Sequence, residues 1–120
     1  MVLLQKLISR YRELKQEATD CVLLMQVGAF MQVMDKDAKT LSQLTGLKLQ
    51  MAGEIGDPVA LGGFPKSGLN AYVGTMARAG CSVAIAFQDE QKERHIKEII
   101  RVNRDEEQNI EIPIRKLELR

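Results

Sequence analysis

Residues 21–34 read Cys-Val-Leu-Leu-Met-Gln-Val-Gly-Ala-Phe-Met-Gln-Val-Met. Cys21 to Gln26 is an apolar run interrupted only at its end and bounded by Asp20 and Gly28, the pattern of a short strand covered on both faces. Strand character continues, less regularly, from Phe30 to Met34. A sheet that starts this way needs a layer on each side, and the flanking sequence supplies candidates for both.

Upstream, Leu3, Leu4, Leu7, Ile8, Tyr11 and Leu14 recur at helical spacing while Lys6, Arg10, Arg12, Glu13 and Lys15 fill the other face, which predicts an amphipathic helix over 2–17. Downstream, Asp35 and Asp37 suit a helix start, where a short acidic side chain can cap free amides. Leu41 and Leu44 would face the core, and Gly46 would end that helix. Leu47, Leu49 and Met51 alternate with Lys48 and Gln50 as a half-buried strand does, and 52–58 is expected to be a turn or loop. Val59 to Phe64 is a strand weakened by Gly62 and Gly63, which implies close approach to its backbone.

Ser67 is expected to cap a third helix reaching about Ala79, with Leu69, Tyr72, Val73 and Met76 on one stripe and Gly80 just past its end. Cys81 to Phe87 reads as another buried strand, and Asp89 to Arg94 as a charged loop. Strand-like segments near His95–Val102 and Asn109–Leu119, joined by the polar turn 103–108, are expected to pair antiparallel, with Pro113 suiting an edge. The expected class is therefore α/β in the α+β sense: a mixed sheet of about five to six strands with about three α-helices, in a single domain over 1–120.

The 120 residues are 45% hydrophobic and 28% charged, ordinary for a globular domain able to hold a core without cross-links. Seventeen Lys and Arg against sixteen Asp and Glu leave a formal charge of +1, which argues against gripping nucleic acid by bulk electrostatics but allows a local basic face. The two cysteines, Cys21 and Cys81, lie in apolar runs and in no zinc-like pair, so a reduced, cytoplasmic setting is expected. No apolar stretch approaches the roughly 20 residues of a membrane helix, and no membrane partner is expected.

His95 is the sole histidine, and no adjacent nucleophile motif accompanies it, so an enzyme is not expected. Asp35 with Asp37, or Glu54 with Asp57, could hold a divalent ion, but capping and loop solvation account for them, and no metal or cofactor is expected. Residues 62–68, Gly-Gly-Phe-Pro-Lys-Ser-Gly, lack the glycine spacing of a nucleotide cradle. Lys66 and Ser67 could still touch one phosphate, or simply lead into a capped helix. In Gly28–Met34, an aromatic and a neutral amide two residues apart share one side of a strand. Phe30 and Gln32 could thus act as a wedge and a base-edge reader on a kinked duplex, or Phe30 could be packed in the core.

Several blocks occur together in order: the helix Leu3 to Lys15; Leu24, Gly28, Phe30, Asp37 and Ala38; Gly63-Phe64-Pro65; Tyr72, Gly80, and Val83-Ala84-Ile85 with Gln88. This ordered set resembles the N-terminal mismatch-recognition domain, domain I, of the MutS family of DNA mismatch repair proteins. The resemblance implies a mixed sheet surrounded by helices. It also implies that Phe30 corresponds to the family's phenylalanine, which stacks at a mispaired or unpaired base beside a glutamate that hydrogen-bonds it. Gln32 stands where the family has that glutamate, with Met31 between. A glutamine donates at any pH and brings no negative charge near phosphates.

The 120 residues hold no counterparts of the family's connector, lever, clamp and ATPase regions, so no ATPase of its own is expected, and the chain reads either as a self-finishing unit or as an excised piece of a longer protein. Two roles follow from these residues. In the first, the module binds mismatched, bulged or otherwise distorted duplex DNA, with RNA as another possible ligand; Phe30, Met31 and Gln32 sit at the base, and Lys48, Lys66, Ser67 and Arg78 are candidate backbone contacts. In the second, the fold is a scaffold that docks onto a protein partner such as a nucleic-acid enzyme, with Phe30 packed and Gln32 solvated.

Overall fold

The computed structural model describes residues 2–102. In chain order the elements are α1 (Val2–Gln16), β1 (Val22–Val27), β2 (Phe30–Met34), α2 (Asp35–Thr45), β3 (Gln50–Glu54), β4 (Asp57–Pro65), a 3-10 turn (Lys66–Gly68), α3 (Leu69–Arg78), β5 (Val83–Gln88) and β6 (Arg94–Ile100). The strands form one six-stranded sheet in the order β3-β4-β2-β1-β5-β6. β1 and β5 run parallel at its centre, and the other neighbours are antiparallel. This is the mixed sheet with three helices expected from the sequence.

The alternation of side chains divides the core in two. On one face Leu23, Met25, Met34, Val59, Ala84 and Ala86 pack with Ile8, Tyr11 and Leu14 of α1. On the other, Val22, Leu24, Met31, Val33, Ala60, Phe64, Val83 and Ile85 pack with Ala38 and Leu41 of α2 and Met76 of α3. The centre strands are apolar at nearly every position because helices cover both sides of them.

The ends of the elements depart from expectation where tertiary structure decides. Residues 52–58 are not a loop: Glu54 pairs with Asp57 across Ile55-Gly56, so β3 and β4 form a continuous hairpin. Most of these side chains are exposed, and the strands are specified by main-chain pairing and not by an apolar stripe. Leu47 and Leu49 precede β3 and lie instead over Gly62, where a Cβ would come within 2.9 and 2.8 Å of them. That is the close approach which the paired glycines implied. Leu44 is 38% exposed, not a core residue.

Ser67 does not cap α3; it is exposed in the 3-10 turn, and the helix starts after Gly68 without a side-chain cap. The expected strand His95–Val102 is present as Arg94–Ile100 and pairs with β5. The segment Asn109–Leu119, including Pro113, lies outside the described residues.

Asp35 and Asp37 occupy the first turn of α2, but Met34 is the N-cap and neither side chain caps the helix. Their carboxylates are used elsewhere. Asp35 and the exposed Asp57 both accept hydrogen bonds from Arg12, and this pairing holds the Asp57 carboxyl below its ordinary range. Asp37 is buried; it accepts from the Leu23 amide at 2.9 Å and from Lys15 Nζ at 2.8 Å. The Tyr11 hydroxyl donates to the Leu23 carbonyl at 2.5 Å and lies 3.3 Å from the same carboxylate. Burial, with Asp37 beside it, raises the Tyr11 phenol well above its ordinary value, so it remains a donor. One carboxylate thus joins α1, β1 and α2.

Removing a single partner from a buried ion pair leaves the other uncompensated, which costs about 3–5 kcal/mol. Asp37→Ala is accordingly expected to lower the unfolding free energy by about that amount, whereas Arg12→Ala at the exposed pairs should cost below about 1 kcal/mol. Denaturant titration of both variants checks the order; equal losses would contradict it.

Candidate nucleic-acid interface

β1 and β2 are joined by Gly28-Ala29, with Val27 opposite Phe30. Gly28 has φ of +62°, and glycine at the first of two central positions is what a type II′ hairpin turn uses. The turn is held from both sides. Gly28 N–H donates to Gln88 Oε1 at 2.8 Å, Gln88 N–H to Gln26 Oε1 at 2.8 Å, and Gln26 Nε2 to the Gly28 carbonyl at 3.0 Å. From the other side, the Lys66 amide donates to the Ala29 carbonyl at 2.9 Å.

This bracing fixes the start of β2, whose alternation places Phe30, Gln32 and Met34 on the α1 face. Cover by α1 ends along that row: Met34 is fully buried, Gln32 is half-buried, and Phe30 is 53% exposed. Met31 points the other way and is fully buried against the α2 and α3 layer. Its side chain therefore cannot touch a base at this surface, which corrects the expectation made for it. An apolar residue between two surface positions of a strand is core by parity.

Phe30, Gln32, Lys48, Gln50, Leu61 and Gly63 line an open depression of about 440 Å³. Gly63 lies directly opposite Gln32, and a Cβ there would sit 3.8 Å from Gln32 Cγ, so the glycine leaves the space beside the amide clear. Gln32 Oε1 is buried without a hydrogen-bond partner among the described residues. An unmade hydrogen bond of this kind costs about 1–3 kcal/mol. The amide is thus held with unused hydrogen-bonding capacity beside an exposed aromatic ring.

The candidate cations are distributed unevenly. Lys48 lines the depression. Lys66 and Ser67 adjoin the hairpin through the Lys66 amide, but the Lys66 ammonium sits 5.4 Å from the Phe87 ring centroid, a cation–π arrangement directed away from Phe30. Arg78 ends α3, with its guanidinium 3.5 Å from Thr75 Oγ1, and does not join the depression. Gln50 and Gly63 escaped the sequence reading, although the Gly62-Gly63 pair was its visible signal. Among the described residues no cluster of His, Cys, Asp or Glu side chains is arranged to hold a metal ion, and no helix is long and apolar enough to cross a membrane.

A family model described as MutS domain I matches residues 5–108. Among curated relatives, the DNA mismatch repair protein MutS of Flavobacterium johnsoniae is 36% identical over 83 residues, covering 68% of this chain and 10% of that protein. The MutS proteins of Porphyromonas gingivalis, 35% identical over 73% of the chain and 10% of the relative, and Methanothrix thermoacetophila, 33% identical over 84% of the chain and 12% of the relative, are similar in the same way. The chain spans about a tenth of the length of these relatives. With its mixed sheet, its hairpin and a match over most of its length, the chain belongs to the MutS domain I family.

Proposed function

We propose that this chain is a mismatch-recognition module that binds mispaired, bulged or otherwise distorted duplex DNA, with Phe30 stacking at the displaced base and Gln32 hydrogen-bonding its edge. The observation that carries this is the exposure of Phe30: a phenylalanine ring 53% exposed is unfavourable in water, and an unstacked base would cover it beside the Gln32 amide. A scaffold without base contact would instead pack Phe30, and its exposure favours the wedge. Lys48 is the cation placed to support this contact, while Lys66 and Ser67 flank the hairpin.

Gln32 sets the chemistry of base contact. Its Nε2 makes no hydrogen bond among the described residues and can donate to a purine ring acceptor without first taking up a proton. A glutamate at this position must be protonated to do the same. The domain is nearly neutral, so its affinity alone is expected to be modest and salt-sensitive. The DNA mismatch repair named for the much longer relatives is not assigned to this chain.

Base–aromatic stacking contributes about 1–3 kcal/mol. Phe30→Ala should therefore reduce affinity for a single-base-bulged duplex by roughly five- to 150-fold while leaving matched-duplex binding nearly unchanged, with competitors of RNA and single strands defining the ligand class. Equal binding of bulged and matched duplexes by the unaltered protein would refute base recognition. Gln32→Glu should bind the distorted duplex more weakly at neutral pH and recover as pH falls towards the carboxyl range near about 4.3. The ratio of variant to unaltered affinity, followed from about pH 8 to 5, checks this; a flat ratio would contradict direct contact with the base edge.

A further inference from the structure

Arg94 opens β6 opposite Gln88. By alternation it shares a face with Ile96, which packs in the α1 cluster, and hence with Phe30. The last parallel pair between β1 and β5 is Met25 with Ala86, and just beyond it Arg94 Nε donates to the Gln26 carbonyl at 2.6 Å. Gln26 is paired with Met31, so the carbonyl that holds the guanidinium belongs to the strand next to β2.

A second guanidinium stands behind it. Arg10 Nε donates to the Arg94 carbonyl at 3.2 Å, and its Nη1 donates to Glu13 at 3.1 Å. Arg10 is therefore occupied, whereas Arg94 makes no ion pair among the described residues. Its preceding neighbour, Glu93, is exposed and does not bridge to it. Burial disfavours the charged form of Arg94, the Glu93 carboxylate favours it and Arg10 adds a smaller repulsion, yet a guanidinium remains charged. Held on a neutral carbonyl, the group keeps its charge and its outer donors available for an anion.

We infer that Arg94, braced by Gln26 and Arg10, is a phosphate-binding residue that holds the nucleic-acid backbone beside the base at Phe30. This rests on the proposed duplex recognition and deepens it. Phe30 is opposite Val27 and Arg94 is opposite Gln88, and Gln88 Oε1 accepts from the Gly28 amide of the hairpin turn, so both groups lie at the same end of the sheet. A planar fork suits a phosphate with two hydrogen bonds, which an exposed lysine does not match. The charge also explains how a chain of net charge +1 could hold a duplex locally.

The test uses the full chain with matched and single-base-bulged duplexes over a series of salt concentrations. Arg94→Gln should weaken both duplexes by about the same factor, roughly three- to tenfold, and reduce the slope of log affinity against log salt by about 0.9. The preference for the bulge should persist. Arg94→Lys should keep most of the slope while losing part of the affinity, and it serves if the glutamine variant folds poorly. Phe30→Ala should show the opposite pattern, losing preference and keeping slope. An unchanged slope and affinity in folded Arg94→Gln overturns the inference while leaving base recognition standing. Loss of the slope effect and the bulge preference together, or no duplex binding by the unaltered protein, overturns both.

Discussion

Strand β2 lies between β1 and β4, and a one-residue slip in its pairing would exchange Phe30 and Gln32 with Met31 and Val33. The slip is opposed from every direction. Met31 and Val33 are fully buried on one face and Met34 on the other, while the turn at Gly28 and the Lys66 amide fix the start of the strand. The Asp37 carboxylate fixes the other end by joining α2, which follows β2 directly, to α1 and β1. The exposed ring and amide are thus consequences of a register that the core cannot release cheaply.

Function in this arrangement depends on incomplete cover. α1 packs over Leu23, Met25 and Met34 but leaves Phe30 in solvent, and Gly63 adds no side chain to close the space beside Gln32. The cost is borne by a rigid platform, so the exposed groups need little further ordering when a ligand arrives. The proposed wedge and the proposed phosphate contact occupy the same face and the same end of the sheet, which lets one backbone geometry serve both.

Much of the fold was legible because its central strands are apolar on both faces, as in Cys21–Gln26 and Cys81–Phe87, and because α1 carries a regular stripe. The hairpin at Ile55-Gly56 was not legible, since exposed residues paired through the main chain have no apolar rhythm. Asp35, Asp37 and Ser67 looked like caps because capping is a local signal, whereas the carboxylates are used in tertiary contacts and Ser67 is simply exposed. For the site, alternation showed that Phe30 and Gln32 share a side. It could not show which side is open, because that depends on where α1 stops. Charge marked Lys48, Lys66 and Arg78 equally, and only the folded positions separate Lys48 at the depression from Arg78 at the end of α3.

Base recognition of the proposed kind requires the Phe30 ring to enter the base stack. The chain has three phenylalanines, and Phe64 is buried against Tyr72, with ring centroids 3.9 Å apart, so it is an internal reference. With the phenylalanine rings isotopically labelled, NMR of the complex with a single-base-bulged duplex should show the Phe30 resonances shifted upfield, with cross-relaxation to base protons beside the bulge, while Phe64 stays in place. A saturated complex in which Phe30 keeps its free-state resonances and shows no contact with a base would rule out stacking by this ring.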